Sequence, residues 1–203
     1  MRRVSIVLFD RFELLDVFGP VQLLSIAPDL FEVEFLGPQG SELVRSSQGV
    51  EVAAQRGYSD AGSPDIVLIP GGAGTRSLVH DRDFLTWLRG FAAPAELVTS
   101  VCTGSAVLAA AGLLDGYQAT SNKYAYPWAS THGSEVQWVP QARWVEDRDR
   151  WTSSGVAAGM DMTAALIRRL HGEEVAETIT MFTELDVHTD PSWDPFAKRH
   201  GLV

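Results

Sequence analysis

The one cysteine of this chain, Cys102, sits where a thiol can do chemistry. It ends the run Glu96-Leu97-Val98-Thr99-Ser100-Val101, which reads as a strand. It precedes Thr103, Gly104 and a small, apolar stretch to Leu114 that reads as a helix. A strand that turns sharply into a helix through small residues raises the side chain at the turn above the sheet, the form of a nucleophile elbow. The N-terminus of the following helix is expected to favour the thiolate and bring the thiol below its usual pKa of about 8.5. A lone cysteine is also often only a small buried hydrophobe. The strand and the small residues around it favour the reactive reading.

Two more features lie at strand ends. Asp65-Ile66-Val67-Leu68-Ile69 runs into Pro70-Gly71-Gly72-Ala73-Gly74, and Asp16 lies just after the strand Val4–Phe9. Ligands of open parallel sheets bind outside the carboxyl ends of the strands, so these ends are expected to converge on Cys102. Asp16 is the candidate acid/base, although an aspartate there can equally cap a helix. Backbone N–H groups near Gly72 and after Cys102 are expected to hold a developing oxyanion. The candidate positions for that role or for substrate binding are Gly71, Gly72, Ala73, Gly104 and Val156. Pro-Gly turns also end strands without any function. The glycine spacing is not that of a dinucleotide-binding turn.

The elements that must position these residues alternate. After the first strand, Phe12 to Leu24 carries apolar residues at mixed helical spacing, interrupted by Gly19-Pro20. Phe31–Leu36 alternates like a half-exposed strand, and Val50–Ala53 is a weak one. Asp83–Ala92 reads as a helix. Val136–Val139, Arg143–Glu146 and Trp151–Ser154 read as short antiparallel strands. Ala157–Leu170 and Glu173–Glu184 read as helices broken at His171-Gly172. Buried strands alternating with helices imply an α/β fold with a mostly parallel central sheet. Residues 186–203 form a tail expected to pack through Trp193, Phe196 and Leu202.

With 203 residues, 45% hydrophobic and 21% charged, the chain reads as one folded domain, with a core over about residues 3–185. Its net charge of −10 makes it a poor partner for a phosphate backbone. One cysteine makes neither an intrachain disulfide nor a thiolate zinc site. No signal peptide or membrane span is read, so the expected setting is cytoplasmic. His80, His132, His171, His188 and His200 belong to no motif and read as surface or satisfied residues. His171 is placed to end a helix, where the dipole favours its charge.

Several segments occur together in order: Asp16-Val17-Phe18-Gly19-Pro20, Ile69-Pro70-Gly71-Gly72, Ser100-Val101-Cys102-Thr103-Gly104, Ala111–Gly116, Thr120-Ser121-Asn122-Lys123 and Ser153–Asp161. As a set they resemble the ThiJ/PfpI superfamily, and its isocyanide hydratase branch most. The resemblance implies a flavodoxin-like, class I glutamine amidotransferase-like three-layer sandwich, usually dimeric. It implies Cys102 as nucleophile, Asp16 as acid/base where related branches carry Glu, and Thr103 as an assisting residue. Protease-like and many glyoxalase-like members place His after the cysteine; Thr103 stands there instead, which disfavours a protease. The expected reaction hydrates a small electrophile through a Cys102 adduct, with no metal or organic cofactor. The alternatives are a redox or small-molecule sensor and a glyoxalase- or deglycase-like enzyme. The Thr120–Lys123 segment is more like uncharacterised members and like the sensor halves of regulators, which add a DNA-binding module that is not expected here. Lys123 is read either as an ordinary solvent-facing cation or as the partner of an anionic group near the site.

Overall fold

The computed structural model describes every residue from Met1 to Val203. Strand β1 (Arg2–Val7) leads into helix α1 (Leu14–Ser25) and then β2 (Phe31–Gly37). Three short strands follow, β3 (Leu43–Arg45), β4 (Glu51–Ala53) and β5 (Arg56–Gly57). Next come β6 (Ile66–Ile69), α2 (Thr75–Leu78), α3 (Arg82–Ala92), β7 (Leu97–Ser100) and α4 (Gly104–Ala110). The chain continues through β8 (Gln118–Ala119), α5 (Tyr126–Ala129), β9 (Gln137–Trp138), β10 (Trp144–Asp147) and β11 (Arg150–Ser153). It closes with α6 (Ala158–His171), α7 (Glu173–Phe182) and α8 (Pro195–Arg199).

Seven strands form the central sheet in the order β10-β11-β7-β6-β1-β2-β5. Every neighbouring pair is parallel except β10–β11. Strands β6 and β7 are buried along their whole length, which is why their sequences are uninterrupted apolar or small runs rather than alternating ones. Helices α1, α6 and α7 pack together, and α4 packs on β6 and β7. This α/β arrangement matches the expectation from the alternating pattern.

Several boundaries differ from the sequence reading. Helix α1 is continuous through Gly19-Pro20. Pro20 removes the bond that would reach back to the Asp16 carbonyl. Gly19 stays because a Cβ there would lie 2.7 Å from the Met160 Cγ of α6. Helix α4 stops at Ala110, because Gly112 turns into the left-handed region at φ 74°. Only β10 and β11 form the antiparallel pair, joined through Arg148 at φ 56°. Residues 137–138 instead pair in parallel with β8 outside the main sheet.

The tail packs, but not through the aromatic residues expected to hold it. Trp193 and Phe196 are exposed, while Asp194 and Ala197 are buried. Arg143 donates its N–H to the Pro191 carbonyl at 2.8 Å, and Asp194 donates its own to Gln141 at 2.7 Å. The Arg143 guanidinium then joins Asp161 of α6 at 2.6 Å and Asp194 at 3.6 Å. A buried ion pair, not an apolar plug, fixes this segment.

Candidate active site

The β7 strand ends in a strained turn. Cys102 has φ +59°, in the left-handed region that β-carbon sterics disfavour. Such a residue costs on the order of 1–3 kcal/mol and persists only when its surroundings impose it. Here the Cys102 N–H reaches the Ser153 and Ser154 carbonyls, each at 3.2 Å, at the end of β11. The Ser121 and Ser105 hydroxyls donate to the Cys102 carbonyl at 3.0 and 3.1 Å. Gly104 closes the turn, since a Cβ there would sit 2.1 Å from the Ile69 carbonyl oxygen. The elbow expected from sequence is present.

Asp16 lies in the first turn of α1 with no solvent exposure. That helix starts against the glycine loop, because the Glu13 N–H donates to the Gly71 carbonyl at 2.8 Å. Gly71 returns the contact, giving its N–H to Asp16 Oδ2 at 2.8 Å. Any Cβ on Gly71 would lie 2.6 Å from the Thr103 nitrogen and 2.8 Å from Asp16 Oδ2. Asp16 Oδ1 has no hydrogen-bond partner. Burial pushes the Asp16 pKa up to about 7, with Glu13 adding to the rise. The Gly71 N–H and the neighbouring Cys102 thiol oppose it.

The sulfur departs from expectation. Cys102 is only 7% exposed, and its pKa is raised well above the ordinary thiol value, not lowered. Burial is the largest cause and the Asp16 charge the next, while the Thr103 N–H and hydroxyl oppose them. Helix α4 spans only seven residues, so its dipole does not outweigh those effects. At neutral pH the resting pair is therefore a thiol beside a partly ionised carboxyl.

The expected oxyanion donors are also spent elsewhere. The Gly71 N–H serves Asp16, the Gly72 N–H serves Thr103 Oγ1 at 3.1 Å, and the Gly104 N–H serves the Val101 carbonyl at 3.0 Å. Ala73 is exposed, and its N–H points to Ser47 Oγ at 3.4 Å. These residues build the frame of the site. Thr75 was not read from sequence: it is fully buried, donates to the Gly72 carbonyl at 2.7 Å, and lies 3.1 Å from Thr103 Oγ1. Its place just after the glycine run was the available signal.

Val156 has φ +42° and lines a cleft of about 190 Å³ with Asn122, Gly155, Phe196 and His200. It stands one step from the elbow, through Ser154. Lys123 is not the solvent-facing cation considered above. It is 2% exposed, and Nζ donates to Thr120 Oγ1 at 2.7 Å, to the Ser121 carbonyl at 3.3 Å and to the Ala142 carbonyl. Burial brings its pKa down to about 8, with Asp194 working against the drop. Among the histidines, His132 is not satisfied: its Nε2 is buried without a partner. His171 ends α6 as expected, but burial and Arg2 lower its pKa, so the dipole does not decide its charge.

The DJ-1/PfpI family profile matches residues 2–169. An isonitrile hydratase of Pseudomonas putida is 33% identical over 193 residues, covering 95% of this chain and 81% of that protein. The HTH-type transcriptional regulator GbdR of Pseudomonas aeruginosa is 32% identical over 209 residues, covering 98% of this chain. The chain spans only 55% of that regulator's length. The crystal structure of a ThiJ/PfpI family protein from Pseudomonas syringae superposes with a TM-score of 0.79 at 26% identity, covering 99% of this chain and 84% of that one.

Proposed function

This chain belongs to the DJ-1/PfpI family, and from that membership we propose that it is a cysteine-dependent hydratase of isocyanides. The observation that carries the reading is the buried pair: a thiol on a strained turn, beside a carboxyl that keeps one oxygen free. Asp16 takes the proton from Cys102 as the sulfur bonds to the terminal isocyanide carbon, and returns it to that carbon. The product is a thioimidate, R–N=CH–S–Cys102. Asp16 then draws a proton from the attacking water and passes it to the nitrogen, leaving the tetrahedral adduct R–NH–CH(OH)–S–Cys102. As the carbon–sulfur bond breaks, the adduct's hydroxyl gives its proton to Asp16, which hands it to the departing sulfur, and an N-substituted formamide leaves. A carboxyl with a pKa near the working pH suits both directions of transfer. Thr103, whose N–H and hydroxyl oppose the rise in the thiol pKa, supports the transient thiolate. Gly71, Gly72 and Gly104 keep the frame open, Val156 and Ala73 border the approach, and the lone thiol suits a reducing cytoplasmic setting.

The test is formamide production from a panel of isocyanides, with methylglyoxal included for the glyoxalase-like alternative. Wild-type protein is expected to turn over isocyanides and the Cys102→Ala variant to be inactive. Full activity in that variant refutes the mechanism. A second reading, a small-molecule sensor without turnover, is favoured by the regulator similarity across nearly the whole chain. The raised thiol pKa weakens its redox form, because the thiolate is the species that oxidises. Ligand binding without product formation is its signature.

A further inference from the structure

Arg76 follows Thr75 on α2, the residue whose hydroxyl lies 3.1 Å from Thr103 Oγ1. Its guanidinium lies over the Trp128 ring, 3.3 Å from the centroid, and makes no ion pair or hydrogen bond with the protein. Trp128 meets His132 edge-on at 4.8 Å, and His132 faces His80 at 6.5 Å. The side chain is exposed; partial burial lowers its pKa, and the charge of a Cys102 thiolate would work against that drop. On a chain of net charge −10, this is a cation without a carboxylate partner, carried by the short helix whose Thr75 hydroxyl touches the residue after Cys102. The carboxylates acting on that sulfur, Glu13 and Asp16, repel any anion that approaches unaided. Stacking on an indole holds the guanidinium plane and leaves its N–H edge free, the geometry that binds a carboxylate through two parallel hydrogen bonds.

We propose that Arg76 is a specificity-determining residue that recognises an anionic end of the molecule reaching Cys102, a carboxylate being the group that fits its fork. As a statement about substrate, an isocyanide bearing a carboxylate, this rests on the hydratase reading; as a statement about what reaches the sulfur, it does not.

The test compares alkylation of Cys102 by iodoacetate and by iodoacetamide at pH 8, above the ordinary imidazole range. Both reagents lose iodide to the same sulfur, so their rate ratio cancels changes in thiol reactivity. The ratio in wild type is expected to exceed that of Arg76→Gln by roughly threefold to tenfold and to shrink with added salt. Arg76→Lys should keep part of it. Equal ratios in wild type and Arg76→Gln overturn the proposal. In parallel, Arg76→Gln should raise KM for isocyanoacetate and leave KM for its methyl ester unchanged. Absence of formamide from both isocyanides removes the hydratase reading, while the alkylation ratio still decides the role of Arg76.

Discussion

Asp16 and Cys102 share one proton problem. A carboxyl raised to about 7 in the fold and near 4 when unfolded binds its proton more tightly in the native state. Its contribution to stability is present at low pH and is lost as pH rises from about 4 through 7. The slope adds up to on the order of 4 kcal/mol. Asp16→Asn, which keeps an acceptor for the Gly71 N–H, is therefore expected to gain stability over wild type across that interval and hold the gain above pH 7. Urea unfolding at several pH values measures this; a pH-independent difference contradicts the assigned burial. The same variant removes the charge that raises the thiol pKa. Its Cys102 should alkylate faster with iodoacetamide at pH 8 while formamide production falls by roughly 10²–10⁴-fold. Opposite movements of reactivity and turnover separate proton transfer from mere loss of the thiol.

At the scale of elements, the site exists because α1, the glycine loop after β6 and the elbow after β7 meet beyond the carboxyl ends of the three central strands β1, β6 and β7. A second clamp lies nearby, where Arg143 holds Asp161 of α6 and Asp194 of the tail. Asp161 Oδ1 also accepts the His188 N–H at 2.9 Å, so the whole segment hangs on this cluster. Arg143→Met leaves two buried carboxylates without their cation, a loss of about 3–5 kcal/mol. Expected outcomes are a Tm about 10 °C lower and protease cleavage within residues 186–203 before the core is attacked. Unchanged melting means that the pairing contributes nothing.

Across the whole molecule, the fold leaves Leu15 and Phe18 on α1 exposed at 41% and 39%, one residue before and two residues after the catalytic candidate Asp16. We propose that this face joins a second copy of the chain. Light scattering on wild type should give a dimer mass, and Phe18→Glu should shift it towards the monomer; a monomeric wild type removes the suggestion. No helix is long and apolar enough to cross a membrane. The negative net charge disfavours binding to a nucleic-acid backbone.

Much was legible in the residues themselves. The uninterrupted apolar runs before Pro70 and before Cys102 identified buried parallel strands, because only strands covered on both faces tolerate such sequences. Small residues around Cys102 marked the elbow, because nothing larger than Gly104 clears the Ile69 carbonyl. Charge states were not legible. The thiol pKa rises because burial and a carboxylate from a distant segment act at close range, and neither is written next to Cys102. The fate of the Gly71 and Gly72 amides was hidden for the same reason: their acceptors, Asp16 and Thr103, lie 55 and 31 residues away. The sequence left Lys123 either a surface cation or the partner of an anionic group; its burial under the Ala142 carbonyl came from a distant segment. Local sterics and hydrophobic patterning determined the strands and the strained turn that carries Cys102. Desolvation and hydrogen-bond pairing depend on which segments come together in space, so only the tertiary structure decided where the protons reside.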